Sequence, residues 1–221
     1  MSTRAVVYDL NHTLLDMDPV ISWDILLGRE FGLELTRDDI LPHIGKKPDE
    51  FYRDLFGQPL STKEMRDRLM HYADQHPRGP MPDAARVVQA VRGAGLVTAV
   101  FTSTSRELTE GMLVESGLPL SNFNFIHTEE DAASDIVAGN HPIMGVVRRL
   151  GEIGIGPSDT LLVGNELSDQ ENALAGGLQY VVVASDLFPR SRLVQEGVAP
   201  DRVIDALAQL PGLLGIEPSA S

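Results

Sequence analysis

Cysteine is absent from the 221 residues, which excludes disulfides and zinc thiolates. With only six scattered histidines as well, any metal site must be built from oxygen ligands, a set that suits a hard cation such as Mg2+. Positive charge is scarce. Lysine and arginine number 18 against 32 acidic side chains, a net charge of −14, and lysine occurs only at Lys46, Lys47 and Lys63. Such a field repels nucleic acid and anionic lipid surfaces, so neither is expected as a partner. No apolar run is long enough to span a bilayer. The start, Met1-Ser-Thr-Arg, lacks the basic segment and apolar stretch of a signal peptide, so a cytoplasmic location is expected. An anionic small-molecule substrate would need concentrated positive charge or a metal. A monomer or homodimer is the expected state.

What is present is a rhythm of short apolar runs. Ala5–Tyr8, Val97–Phe101, Asn124–His127, Thr160–Val163 and Tyr180–Ala184 are rich in β-branched residues and read as buried parallel strands. Amphipathic stretches that end in glycine separate the last four, such as Ala84–Ala94 before Gly95 and Met144–Leu150 before Gly151. The pattern predicts an α/β fold, a Rossmann-like doubly wound parallel sheet. The interval between the first two strands is far longer than a crossover helix needs. From about Pro19 to His76 it shows helical periodicity, with Ile21, Ile25 and Leu26, then Phe51 and Leu55, then Met65, Leu69 and Tyr72. Pro77-Arg-Gly-Pro-Met-Pro82 reads as the return linker. An inserted helical cap is therefore expected at 18–77, an α/β core at 1–17 and 78–212, and a disordered tail at 213–221.

Ligands of open parallel sheets bind outside the carboxyl ends of the strands. Those ends carry Asp9 to Thr13, Thr102 with Ser103, Asn140 with His141 after the third strand, and Asn165 with Asp169. A carboxylate there is a candidate covalent nucleophile if donors or a cation keep it ionised. Asp9 is that candidate. Asp169 is equally placed to cap the helix Gln170–Ala175, and Thr102 and Ser103 to open the helix after the second strand. Helix N-termini also bind anions, so the two roles are compatible. His127 and His141 are expected at the surface.

Val7-Tyr-Asp-Leu-Asn-His-Thr-Leu-Leu-Asp16 resembles the first motif of the haloacid-dehalogenase-like hydrolase superfamily, Asp-x-Asp-Gly-Thr-Leu-x-Asp. Thr102 matches its second motif, Leu162-Val-Gly-Asn-Glu-Leu-Ser-Asp169 its fourth, and Pro80-Met-Pro82 the exit from a cap inserted between motifs one and two. The resemblance covers nearly the whole chain. It implies Asp9 as nucleophile, Thr13 and Thr102 as binders of the transferring group, and Asp9, Asn11, Asn165 and Asp169 as ligands of a weakened Mg2+ site.

Three departures bear on activity. Asn11 stands where the family's phosphatases have the carboxylate that protonates the leaving group and then activates water, a role worth ~10²–10⁴ in rate. His12, in place of the family glycine, is the ionisable neighbour that would have to substitute. Asn140 falls at the position of the motif-three lysine, so that charge is missing. Lys46 and Lys47, in the cap segment His43-Ile-Gly-Lys-Lys-Pro48, would supply it on closure, or else form a solvated turn. Asn165 replaces the first aspartate of motif four and removes one charge from the cation site.

These substitutions leave three readings. One is a hydrolase that uses Asp9 on a small phosphorylated or otherwise activated substrate. A second is a metal-independent 2-haloacid dehalogenase, whose leaving halide needs no proton. The third is a catalytically weakened relative that binds a ligand or protein, or performs specialised non-phosphatase chemistry.

Overall fold

The computed structural model describes residues 3–44, 46, 48–59, 61, 63–76 and 78–217. Contacts divide the chain into two compact units, Met1–Asp16 with Pro80–Ser221, and Met17–Gly79.

The first unit is built on a six-stranded, all-parallel sheet: β1 (Ala5–Tyr8), β2 (Val97–Phe101), β3 (Phe125–His127), β4 (Thr160–Gly164), β5 (Gln179–Val183) and β6 (Val203–Ile204). The strand order is β3-β2-β1-β4-β5-β6. β1 pairs with β2 on one side and β4 on the other, so the winding reverses beside β1. In such sheets ligands bind outside the carboxyl ends of the strands at the reversal, here those of β1 and β4. The runs are apolar throughout because both faces are covered; β1 and β4 are buried at every residue. One face packs Val7, Ala99, Phe101 and Leu162 against Ile143, Val146 and Leu150 from α8 (Met144–Glu152) and its approach. The remaining helices of this unit are α5 (Ala84–Gly93), α6 (Arg106–Glu115), α7 (Glu129–Val137), α9 (Leu167–Gly176), α10 (Arg190–Glu196) and α11 (Leu210–Leu213).

Two departures from the sequence reading are local. β6 was not expected, because two residues of strand carry no periodicity. Backbone hydrogen bonding also continues beyond residue 213, with the Ile216 N–H donating to the Pro211 carbonyl at 2.9 Å; 218–221 lie outside the described residues.

The second unit holds α1 (Asp18–Glu30), α2 (Arg37–Ile40), α3 (Pro48–Phe56) and α4 (Lys63–Gln75). Its core gathers Trp23, Leu27, Tyr52, Met65 and Leu69, and the Trp23 indole N–H donates to the His76 carbonyl at 2.9 Å. The chain leaves and re-enters the sheet unit side by side. Leu15 bridges Pro80 in antiparallel fashion, and the Met81 N–H donates to the Leu14 carbonyl at 2.9 Å.

Candidate active site

Asp9 is the first residue past β1. Its N–H donates to the Val163 carbonyl at 2.8 Å, which extends the β1–β4 ladder by one bond and fixes where the carboxylate emerges. The chain then turns tightly. Leu14 and Leu15 donate their N–H groups to the Leu10 carbonyl at 2.9 and 3.0 Å, and His12 donates to Leu15 at 2.8 Å. His12 closes the turn with φ of 58°, a left-handed conformation that glycine adopts without penalty and a histidine does not. The side chain is buried.

The turn returns Thr13 toward Asp9, whose carboxylate accepts from the Thr13 hydroxyl and the Leu10 N–H. Asn165, at the end of β4, completes the arrangement. The inner atom of its amide lies 2.9 Å from the Asn11 carbonyl, 3.3 Å from Asp9 Oδ2 and 3.2 Å from Thr13 Oγ1. A carbonyl there would face two acceptors. The NH2 group satisfies all three contacts, with the Thr13 hydroxyl accepting from Asn165 and donating to Asp9.

Asp169 stands in the first turn of α9. Its Oδ2 accepts from the N–H groups of Asn165 at 2.9 Å and Glu166 at 3.0 Å, half of a capping box closed by the Glu166 side chain. The carboxyl packs directly on Gly164, where a Cβ would come within 2.0 Å of Asp169 Cγ. Only glycine fits. Burial pushes the Asp169 carboxyl up against the pull of those two N–H groups. The same burial, with the charges of Asp169 and Glu166 behind it, pushes Asp9 well above the usual carboxylate range. Glu166 is driven to about 7 by burial and Asp169, with Arg192 opposing.

On the β2 side, Thr102 is buried and accepts from the Thr104 N–H at 3.2 Å. Thr104 Oγ1 in turn accepts from Asn11 Nδ2 at 3.5 Å, across 93 residues of sequence. Asp9, Asn11, Thr13, Thr102, Asn165 and Asp169 thus form one connected group. Thr104 and Glu166 belong to it but escaped the sequence reading. Glu166 is missed because the sequence places the start of the helix at Gln170 behind Asp169, whereas α9 begins at Leu167 with Glu166 as its N-cap and Asp169 inside the first turn; only the assembled sheet brings Thr104 to Asn11.

Other expected site residues take no part in these hydrogen bonds. Ser103 is exposed, and α6 begins at Arg106 behind Ser105, so Thr102 and Ser103 do not open that helix. Asn140 is exposed and lies three residues past α7, donating its N–H to the Asp135 carbonyl at 2.9 Å. The Lys46 ammonium is matched inside its own unit, 2.6 Å from Asp54 Oδ2 and 2.9 Å from His43 Nδ1. Lys47 falls outside the described residues. His141 is exposed as expected. His127 is not: it is buried, stacked on Phe101 at 5.8 Å, because Gly145 leaves room for its ring beneath α8.

As a donor set for Mg2+ the group fits poorly. Octahedral Mg2+ demands oxygen ligands at about 2.0–2.1 Å, yet Asn165 turns N–H bonds inward and Asp169 Oδ2 is committed to backbone N–H groups. Among the described residues no cluster of three His, Cys, Asp or Glu side chains has the geometry to hold a metal. None of the described helices is long and apolar enough to cross a membrane.

Comparison with known proteins agrees with this architecture. The chain is 23% identical over 218 residues to the protein SUPPRESSOR OF QUENCHING 1, chloroplastic, of Arabidopsis thaliana, with 89% of this chain aligned. It spans only 20% of that protein's length. Among solved structures, a HAD family hydrolase from Deinococcus radiodurans with bound phosphate and sodium superposes with a TM-score of 0.76 at 20% identity, covering 99% of each chain. A haloacid dehalogenase-like hydrolase from Bacteroides fragilis gives 0.73 at 21% identity, over 95% of this chain and 100% of the other. A predicted phosphoglycolate phosphatase from Haemophilus somnus gives 0.73 at 15%, over 96% and 98%. These likenesses establish the fold. The family model described as haloacid dehalogenase-like hydrolase matches residues 6–183, most of the chain, and the chain belongs to that family.

Proposed function

We propose that the chain is a hydrolase that uses Asp9 as a covalent nucleophile on a small, anionic, phosphorylated substrate. The observation that carries this reading is the position of Asp9, one residue past β1 where the sheet's winding reverses, with Thr13 and Asn165 donating to its carboxylate. An Asp9 oxygen would attack phosphorus and the substrate's ester oxygen would leave with a proton. Water would then cleave the acyl phosphate, releasing phosphate and restoring the carboxylate. The donors on its carboxylate orient the nucleophile and oppose the upward push of burial on its ionisation. Thr102, buried at the end of β2, would bind the transferring group, as the family resemblance implies. Asn11 cannot supply the leaving-group proton, so it would come from His12 or solvent, and turnover would be slow by the family's standard.

A second reading is favoured by Asn11 and by the inward NH2 of Asn165: displacement of a halide from a 2-haloacid. Halide leaves without a proton, and the resulting ester on Asp9 would be hydrolysed by water. A panel of phosphate monoesters and 2-haloacids, each with and without Mg2+ and each repeated with Asp9→Asn, separates the two. Phosphate release lost on substitution supports the first reading, and halide release the second. No turnover of any compound, with ligand binding intact, refutes both and leaves a binding module.

A further inference from the structure

We infer that the Asn165 side-chain NH2 takes the place of a divalent cation in this site, so that the Asp9 carboxylate is held and oriented without metal. The inference rests on the reading of Asp9 as the reacting carboxylate.

Three oxygens from the β1 loop converge on one end of the Asn165 amide, the Asn11 carbonyl at 2.9 Å, Thr13 Oγ1 at 3.2 Å and Asp9 Oδ2 at 3.3 Å, and the hydrogen-bonding pattern assigns that end as the NH2. The Thr13 hydroxyl donates to Asp9, but the Asn11 carbonyl and the Asp9 carboxylate are acceptors only and repel one another unless something positive lies between them. An ion supplies that from a free species; here two polarised N–H bonds of a buried, covalently anchored side chain supply it. Asn165 is 1% exposed, so its position is set by packing, and its backbone N–H is in turn held by Asp169 Oδ2. One N–H reaches the Asn11 carbonyl and the other is shared by Asp9 and Thr13, while the Thr13 hydroxyl donates a hydrogen bond to Asp9.

The charge count points the same way. Asp9, Asp169 and Glu166 already stand together, the first two influencing each other through burial and charge. An aspartate at 165 would add a fourth carboxylate, an arrangement that a bound cation relieves and that otherwise drives protons onto the group. The amide removes that charge and turns two acceptors into two donors. Asn165 is therefore a positioning residue: it acts through Asp9 and touches no substrate in this account.

The test titrates MgCl2 into the wild-type protein and Asn165→Asp by calorimetry, alongside melting temperatures measured with Mg2+ and with EDTA. The wild type should show no saturable heat at millimolar Mg2+ and the same melting temperature in both buffers. Asn165→Asp should gain a saturable Mg2+ site, roughly tenfold or more tighter than any residual wild-type binding, and its melting temperature should rise with Mg2+. A purely structural role for Asn165 would not create a metal site on substitution. Saturable Mg2+ binding by the wild type overturns the inference, and so does a folded Asn165→Asp protein that gains none. If that variant does not fold, the wild-type titration decides alone. Wild-type Mg2+ binding would leave Asp9 as nucleophile untouched, whereas failure of every substrate in the panel would remove the nucleophile and leave the titration valid.

Discussion

Asp24 offers a prediction that the structure makes quantitatively. It is 2% exposed in α1, with the Tyr52 hydroxyl donating to its Oδ1 at 2.8 Å. Burial outweighs that bond and lifts its carboxyl from 3.8 to about 7. In the unfolded chain the group ionises near 3.8. Below that pH both states carry the proton and nothing is lost. Between about 4 and about 7 the unfolded chain sheds its proton while the folded one keeps it, so stability falls as pH rises and the loss is complete once pH exceeds the folded value. The difference corresponds to a ceiling of about 4 kcal/mol. Asp24→Asn should abolish that slope, leaving the variant less sensitive to pH and more stable than wild type at pH 8. Trp23, the sole tryptophan, lies in the same core, so its fluorescence during urea unfolding reports on this unit. The quantity to compare is wild type minus variant at each pH, since carboxylates common to both cancel. A wild-type stability that does not decline relative to Asp24→Asn across this window refutes the reasoning.

Three further outcomes follow from the site. Asp9→Asn should cut turnover of the active substrate class by at least ~10³-fold while raising the melting temperature, because it removes a buried carboxyl that Asp169 and Glu166 oppose; a lowered melting temperature would show that the charge is stabilising. Gly164→Ala drives a Cβ to 2.0 Å from Asp169 Cγ, and the forced shift should cost about 1–3 kcal/mol in denaturant unfolding; an unchanged midpoint would contradict the close contact. Asn11→Asp restores a group able to exchange a proton, so phosphate-ester turnover should rise by about 10² or more, and steady-state kinetics that stay level would remove the missing acid as the reason for slow turnover.

Short, uninterrupted apolar runs were the most readable part of this chain. β1 and β2 lie where alternation-free Val- and Ala-rich segments placed them, since a strand covered on both faces must be apolar throughout. β6 was hidden because Val203–Ile204 is too short to carry a pattern. Residues at the strand ends were likewise legible: Asp9, Thr13, Asn165 and Asp169 follow β1 and β4 directly, and adjacency of those strands brings them together. Asn140 follows α7, its N–H bonded to the Asp135 carbonyl, and spacing alone does not say where its side chain acts. Thr104 shows a further limit, since its bond to Asn11 spans two loops that only the sheet makes neighbours. The orientation of the Asn165 amide could not be read from composition at all. It follows from which three oxygens surround it.

Nucleophilic catalysis by Asp9 requires that its carboxylate be covalently modified during turnover. Rapid acid quenching of the protein mixed with its active phosphate ester, followed by mass spectrometry of the peptide spanning β1, should find a phosphoryl group on Asp9 in the wild type and none in Asp9→Asn. Full turnover with an unmodified Asp9 peptide, or turnover retained by Asp9→Asn, would contradict it.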